Sequence, residues 1–127
     1  MFGATNYPIT IVEMPQFEKE AERVFTNEEL VSFIDFLALN PDSGDVIPSS
    51  GGVRKMRWPA RNQGKRGGAR IIYYFRDLNM PVFLIAMYLK GEKINLTQGE
   101  LKEMRALVDF LVTDYHEVAK RLRVYNR

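Results

Sequence analysis

The chain has 127 residues, of which 46% are hydrophobic and 27% are charged, and its formal net charge is +2. This length suffices for one hydrophobic core and the composition is that of a globular protein, so we expect a single domain spanning residues 1–127. With no cysteine and one histidine, the sequence excludes disulfides and thiol nucleophiles and leaves zinc, haem and iron–sulfur centres almost without ligands, so we expect no metal and no cofactor.

The N-terminal part of the chain predicts one strand and two helices. Residues 8–14 (PITIVEM) are apolar and β-branched, which favours a strand. Pro15 then suits the first turn of a short helix. The second helix begins with a capping-box pattern, Thr26 with Glu29, and ends at residues 40–41, Asn-Pro. Its apolar residues recur three and four apart: Leu30, Phe33, Ile34 and Leu37.

The middle of the chain predicts an antiparallel meander. A loop composition over residues 41–52 separates it from the helices. Its three strand-like runs are residues 53–58, 69–75 and 82–88. The connection at residues 59–68 is long, glycine-rich and basic, whereas the one at residues 76–81 is short enough for a hairpin.

A second capping-box pattern, Thr97 with Glu100, begins a long C-terminal helix. Its apolar stripe buries against the sheet or docks a partner. The order β-α-α-β-β-β-α predicts an α+β fold, with two N-terminal helices and a long C-terminal helix packed on a small, mainly antiparallel sheet. The N-terminus has no signal-peptide pattern and no run approaches the ~18 apolar residues of a membrane span, so we expect a cytoplasmic protein with no membrane partner.

Positive charge is concentrated in the middle of the chain. Residues 51–93 contain ten lysines and arginines against two acids, a balance of +8, while the remainder carries −6. Like charges held this close destabilise a fold unless an anion compensates them, so the segment indicates a polyanionic partner. A solvated basic surface without a partner is the alternative at this point.

Strand alternation predicts which of these cations share a face. In residues 53–58, Lys55 and Arg57 alternate with Met56 and Trp58, and we assign Trp58 to the core. The apolar face of the third strand is assigned to Phe83, Ile85 and Met87. The opposite face of the sheet gathers cations and rings: Lys55, Arg57, Arg70, Tyr74 and Tyr88. Such a face suits single-stranded RNA, because cations hold phosphates and rings stack on unpaired bases. Core filling is the alternative role for each tyrosine.

Three runs of the sequence together resemble one toxin family. They are GGVRKMR at residues 51–57, GKRGGARIIYYF at residues 64–75 and YLKGEKINLT at residues 88–97. The runs and their separation are similar to those of the HigB-type branch of the RelE/ParE toxin superfamily, and the resemblance covers roughly residues 9–111. It implies a RelE-like fold, which agrees with the element order above.

The resemblance also implies an activity. It points to the toxin of a toxin–antitoxin system, a metal-independent endoribonuclease (mRNA interferase) that cleaves mRNA on the ribosome by 2′-hydroxyl attack and so inhibits translation. It implies a cognate antitoxin, a small helix-turn-helix protein. By position it implies four catalytic cations: Lys55, Arg57, Arg70 and Lys93. The residues expected to contact RNA are Arg54, Lys65, Arg66, Tyr74, Tyr88 and Lys90.

Three other functions are possible for a basic domain of this kind: RNA or partner binding without cleavage, DNA binding, and nucleoside triphosphate hydrolysis. A degenerate family member that binds RNA or a partner without cleaving it has the same basic face and stays open as the alternative. DNA binding is disfavoured, because no predicted helix carries a basic face that reads a groove. The glycines at residues 64–68 (GKRGG) lack the spacing of a nucleotide phosphate loop and no helix follows them, which excludes nucleoside triphosphate hydrolysis.

Overall fold

The computed structural model of the protein describes residues 8–60, 68–92 and 95–125, with the side chains of the last helix as far as Glu117. In these residues three helices and five strands follow one another. Their bounds are β1 Ile11–Glu13, α1 Pro15–Val24, α2 Asn27–Leu39, β2 Asp45–Val46, β3 Val53–Trp58, β4 Ala69–Tyr74, β5 Val82–Leu89 and α3 Gln98–Tyr125. The predicted α+β class and order are confirmed; the short β2 is added inside the segment predicted as a loop.

The five strands form one mixed sheet in the order β1-β5-β4-β3-β2. Strands β2 to β5 are antiparallel neighbours, as the meander predicts, whereas β1 runs parallel to β5 with Ile11 opposite Val82. The central strands β4 and β5 are buried on both faces of the sheet. This burial explains why their sequences are almost continuously apolar instead of alternating with polar residues.

Helices α1 and α2 cover one face of the sheet. Helix α1 begins at Pro15, whose missing N–H has no partner to lose in the first turn. Helix α2 has the predicted capping box, in which Thr26 Oγ1 accepts from the Glu29 N–H (3.1 Å) and Glu29 Oε1 accepts from the Thr26 N–H (2.9 Å). The core between these helices and the sheet includes Phe17, Ala21, Val24, Phe25, Phe33, Leu37, Ile71, Tyr73, Val82 and Leu84.

Helix α3 covers the opposite face, so the sheet lies between two cores. The helix begins with the second predicted capping box, in which Thr97 and Glu100 exchange hydrogen bonds of 2.8 and 3.1 Å. Its buried residues Val108 and Leu111 join a cluster with Val53, Ile72, Tyr74, Met80, Phe83, Ile85 and Tyr88 of the sheet and its loops. As far as Tyr115 the stripe therefore closes the sheet, the first of the two uses predicted for it; the far end, which could instead dock a partner, lies outside the described side chains. A search of the described residues finds no helix apolar and long enough to span a membrane.

The pairing of β4 with β5 contains an irregularity that changes which residues share a face. Ile72 lies opposite Ala86 while Tyr73 lies opposite Leu84, so Ile85 is the extra residue of a β-bulge. Ile85 packs in the α3 core, whereas Met87 packs in the core under α1 and α2. The predicted common face of Phe83, Ile85 and Met87 is wrong at Met87, because alternation does not continue through a bulge.

Candidate nucleic-acid interface

Strand register brings three of the predicted catalytic cations together. Met56 and Trp58 pack against the core of α1 and α2, so Lys55 and Arg57, which alternate with them, face the side of α3. Arg57 is directly opposite Arg70 of β4. Lys55 precedes Arg57 by two residues, about 7 Å along the strand. The three cations therefore form one patch, which we call the cation site.

The two arginines of the cation site oppose each other across an antiparallel strand pair. Like charges in this position destabilise the pair, and an anion bound between them offsets that cost. Lys55 is partly buried and Arg57 is exposed. Within the described part of the chain, neither side chain makes an ion pair or a hydrogen bond. Guanidinium and ammonium groups in this arrangement suit a phosphodiester, which arginine can contact through two parallel hydrogen bonds.

Lys90 lies in the turn after β5, and this turn is tied to α1. Gly91 has a φ of 98°, a conformation that favours glycine. The carboxylate of Glu92 accepts hydrogen bonds from the Leu89 N–H (2.7 Å) and from both Nη atoms of Arg23 (2.8 and 3.0 Å). The Arg23 hydrogen bond, followed by that of Leu89, holds the pKa of Glu92 below its ordinary value. The exposed side chain of Lys90 thus stands on a fixed turn.

Arg54, which the sequence assigns to RNA contact, faces the other side of the sheet. Its Nη1 donates to the carbonyls of Asp42 (3.0 Å) and Gly44 (2.7 Å), and its guanidinium carbon lies 5.9 Å from the centre of the Phe75 ring. These contacts fix the loop after α2 to the sheet. We therefore assign Arg54 to the fold instead of to RNA.

Tyr73 fixes the same loop from within the core. Its hydroxyl donates to the Pro41 carbonyl (2.9 Å) and accepts from the Gly44 N–H (2.8 Å). The side chain is fully buried, and this burial raises the pKa of the phenol. A Cβ atom at Gly44 would lie 2.8 Å from the Tyr73 ring, so only glycine permits this close approach. Tyr73 and Arg54 together hold the loop at residues 41–44.

The two tyrosines predicted to stack on bases are largely buried in the α3 core. Tyr74 is 6% exposed and lies between Val53 and Phe83 in the sheet, so we assign its ring to the core. Tyr88 is 9% exposed but lies directly opposite Arg70, and it stays a candidate for RNA contact. The remaining predicted site residues lie outside the described part of the chain: Lys65, Arg66 and Lys93.

An open cleft borders the cation site on the outer side of β3. Strand β2 pairs with β3 only at Arg54 and Lys55, so among the described residues the rest of β3 has no strand on that side. The cleft has a volume of about 700 Å³, and we call it the edge cleft. Its lining residues are Phe36, Ser43, Asp45, Lys55, Met56, Arg57, Trp58 and Pro59. Sequence reasoning missed this cleft, although one signal was present: Phe36 is an aromatic residue outside the apolar stripe of α2.

A second depression, of about 320 Å³, lies between α1, β5 and α3. Its lining residues are Gln16, Glu20, Ile72, Ile85, Ala86, Met87, Tyr88, Leu96, Glu100, Glu103, Met104 and Leu107. The charged members of this lining are all glutamates, and we call the depression the acidic groove. Among the described residues, no group of three or more histidine, aspartate or glutamate side chains is placed to hold a metal ion.

The chain matches the model of a known protein family. A family model described as "RelE toxin of RelE / RelB toxin-antitoxin system" matches residues 11–123, which is most of the chain. The match begins at the first residue of β1 and ends within α3. It therefore includes the cation site, the edge cleft and the acidic groove.

Proposed function

The chain belongs to the RelE toxin family, and from this premise we propose that it is an mRNA interferase that cleaves mRNA on the ribosome. Toxins of this family act in toxin–antitoxin systems and are generally endoribonucleases. The observation that carries the proposal is the cation site, where Arg57 stands directly opposite Arg70 beside Lys55. Such a concentration of positive charge on a sheet face matches the phosphodiester backbone of a single-stranded RNA.

The proposed reaction is an internal transfer of the phosphoryl group. The ribose 2′-oxygen forms a bond to the adjacent phosphorus, and the bond from phosphorus to the 5′-oxygen of the next nucleotide breaks. The products are a 2′,3′-cyclic phosphate and a 5′-hydroxyl. Catalysis needs a base that takes the 2′-hydroxyl proton, positive charge around the crowded phosphorane, and a proton for the leaving 5′-oxygen.

The cations of this chain are proposed to share those tasks. Lys55 takes the 2′-hydroxyl proton. Arg70 clamps the phosphate through the two parallel donors of its guanidinium. Arg57 and Lys93 supply the remaining positive charge, and a solvent water donates the proton that the leaving 5′-oxygen takes up. The geometry of Arg57 and Arg70 supports this division, because a phosphate placed between directly opposed arginines is within reach of both.

Cleavage of mRNA by purified protein on translating ribosomes tests the proposal, with the new 5′ ends mapped. We expect cleavage by the wild type and a loss of about 100- to 1,000-fold in Arg70→Ala, because a charge-stabilising donor is removed. Arg76→Ala is the matched control, since Arg76 is an exposed cation beyond the other end of β4 and next to Asp77 (3.8 Å), and it should cleave like the wild type.

Three outcomes contradict all or part of the proposal. A folded Arg70→Ala protein with the wild-type rate would remove the cation site from catalysis. A wild-type protein that binds mRNA but produces no new ends would favour the alternative of a binding module. Products with a linear 3′-phosphate from the outset would leave the site but overturn the 2′-hydroxyl mechanism.

We also propose which branch of the family this chain belongs to and which kind of protein neutralises it. The runs at residues 51–57, 64–75 and 88–97 support the HigB-type branch of the family. We propose a cytoplasmic toxin neutralised by a small helix-turn-helix antitoxin. A gene for such a protein beside the gene for this chain, whose product binds the purified chain and stops cleavage, is the expected finding.

A further inference from the structure

Two aromatic rings of the edge cleft, Trp58 and Phe36, are supported by the buried core. Trp58 packs edge-on against Phe33, with ring centres 5.3 Å apart and planes at 69°. Phe33 is fully buried, so it is a firm support. Trp58 also packs against Phe36, with ring centres 5.2 Å apart and planes at 43°. The Phe36 side chain is 37% exposed. Two rings therefore line an open space without being enclosed by the core.

The cleft runs along the free edge of β3 and takes residues from both faces of that strand, so it is also lined by Lys55 and Arg57 of the cation site. Asp45, the direct partner of Lys55 in the strand register, and Ser43 also line the cleft. Because the carboxylate of Asp45 repels a phosphate and lies beside Lys55, Arg57 is the better position for a phosphate in this cleft. The part of the lining at Ser43 is fixed, because Tyr73 and Arg54 hold the loop that carries it.

Rings next to cations distinguish this cleft from simpler surfaces. A site that binds only phosphate needs no aromatic residues. A site that docks an apolar surface gains nothing from a lysine and an arginine that have no ion pair within the described part of the chain. Proteins that bind single-stranded nucleic acid combine both, since cations follow the backbone and rings stack on bases. A volume of about 700 Å³ is ample for one nucleotide.

We propose that the edge cleft holds one unpaired nucleobase of the RNA, stacked on Trp58 and Phe36, beside a phosphate held by Arg57. The inference rests on the proposed function, because it names a substrate subsite of that activity. It makes Trp58 and Phe36 residues that bind substrate and influence which nucleotides flank the cleaved bond.

Trp58 is the sole tryptophan of the sequence, so its fluorescence reports on the cleft directly. The probe is a short single-stranded RNA with 2′-O-methyl groups, which cannot undergo 2′-hydroxyl attack. Stacking of a base on the indole should quench the fluorescence of the wild-type protein. The matched control probe is inorganic polyphosphate, which offers the same charge without bases and should leave the emission nearly unchanged. Quenching by both probes alike, or by neither, overturns the inference.

Variants test the same point through binding and cleavage. Trp58→Leu should weaken RNA binding about 5- to 100-fold, the usual effect of losing one stacked base. On ribosomes Trp58→Leu should also lower the cleavage rate and change the distribution of new 5′ ends. Trp58→Phe should keep most of the wild-type affinity and cleavage rate. Phe36→Leu, at an exposed position with little risk to folding, should change them in the same direction. Leu78→Ala, an exposed apolar residue (55%) in the turn after β4, is the control that should change neither.

The outcomes separate this inference from the proposed function. If Arg70→Ala abolishes cleavage while folded Trp58→Leu and Phe36→Leu give the wild-type rate and ends, the subsite is wrong and the activity stands. If these variants lose affinity for the antitoxin and keep cleavage, the cleft is a protein-binding site and the inference fails. If Trp58→Leu does not fold, Phe36→Leu and the wild-type fluorescence decide. If the wild type cleaves nothing, the proposed function itself fails.

Discussion

The edge cleft and the acidic groove open on the same small sheet, and both have apolar linings, but their charges are opposite. The cleft takes its cations from β3, whereas the groove takes its glutamates from α1 and α3. At these two sites the cations come from the sheet and the glutamates come from the helices that flank it. We expect an RNA strand bound at the proposed site to be attracted towards the cleft and repelled from the groove, so that the two depressions together set the direction of the strand.

The largest expected effect comes from Lys55, which belongs to both the cation site and the edge cleft. Lys55→Ala should lower the rate of cleavage by about 10²- to 10⁴-fold, the usual contribution of a general base. Lys55→Arg keeps the charge but should stay slow, since a guanidinium remains protonated at neutral pH. Single-turnover cleavage on ribosomes measures the rate, with ribosome binding measured in parallel. A Lys55→Arg protein as fast as the wild type would move the base to another residue.

The wall of the edge cleft gives the next largest effect. Tyr73→Phe leaves the buried Pro41 carbonyl and Gly44 N–H without the hydroxyl that joins them. We expect the free energy of unfolding to fall by about 1–3 kcal/mol, the cost of unpaired buried groups. Urea denaturation measures it, and Tyr115→Phe on α3 is a matched control with little expected change. An unchanged midpoint for Tyr73→Phe would show that Arg54 alone holds the loop.

Arg23 joins the acidic groove to the turn that carries Lys90, because it hydrogen-bonds both Glu20 of the groove and Glu92 of the turn. The pKa of Glu92 is lower in the folded chain than its ordinary 4.5, so this contact stabilises the fold above that pH and is lost as the pH falls further. Both side chains are about 40% exposed or more, which limits the effect to roughly 1 kcal/mol or less.

The measurement for this contact is the difference in unfolding free energy between the wild type and Glu92→Gln. It should be present at pH 7 and shrink towards zero below about pH 4.5. Glu22→Gln, an exposed glutamate of α1, is the control for a general effect of one carboxylate. A difference that stays constant over this range would mean that the ion pair does not provide the stabilisation.

The smallest effect concerns the groove. Glu103→Lys reverses one charge of its rim, and it should raise the affinity for single-stranded RNA about twofold at low salt, since the repulsion becomes an attraction. Glu22→Lys makes the same change of charge away from the groove and should do less. Fluorescence anisotropy of a labelled RNA measures both, and the difference should vanish at high salt. A loss of affinity in Glu103→Lys would contradict the proposed path of the strand.

The sequence predicts the fold of this protein better than its site. Capping boxes at Thr26 and Thr97 and the meander are local patterns, and the structure confirms them. The shared face of Lys55 and Arg57 follows from strand alternation. The same rule puts Arg54 on the opposite face with Met56, so the sequence already indicates that Arg54 lies away from the cation site. The core position of Tyr74 does not follow from the sequence, because it depends on where α3 crosses the sheet.

The edge cleft lay beyond sequence reasoning for a different reason. It exists because β2 stops at Val46 and leaves the end of β3 uncovered among the described residues. No residue type marks the length of a two-residue strand inside a loop. Trp58 was assigned to the core, and it does pack against that core, but only contact with both Phe33 and an exposed Phe36 shows that it also lines an open space.

The pairing of β1 with β5 has a consequence for how the protein is made. Ile11 lies opposite Val82, a separation of 71 residues, and β5 is the strand that joins β1 to the rest of the sheet. Contacts this distant in sequence form slowly, because a long loop must close first. A nascent chain that stops before β5 carries Arg57 and Arg70 but lacks the strand on which α1 and β4 both pack. The toxin thus completes folding late in its own translation, when most of the chain has already left the ribosome.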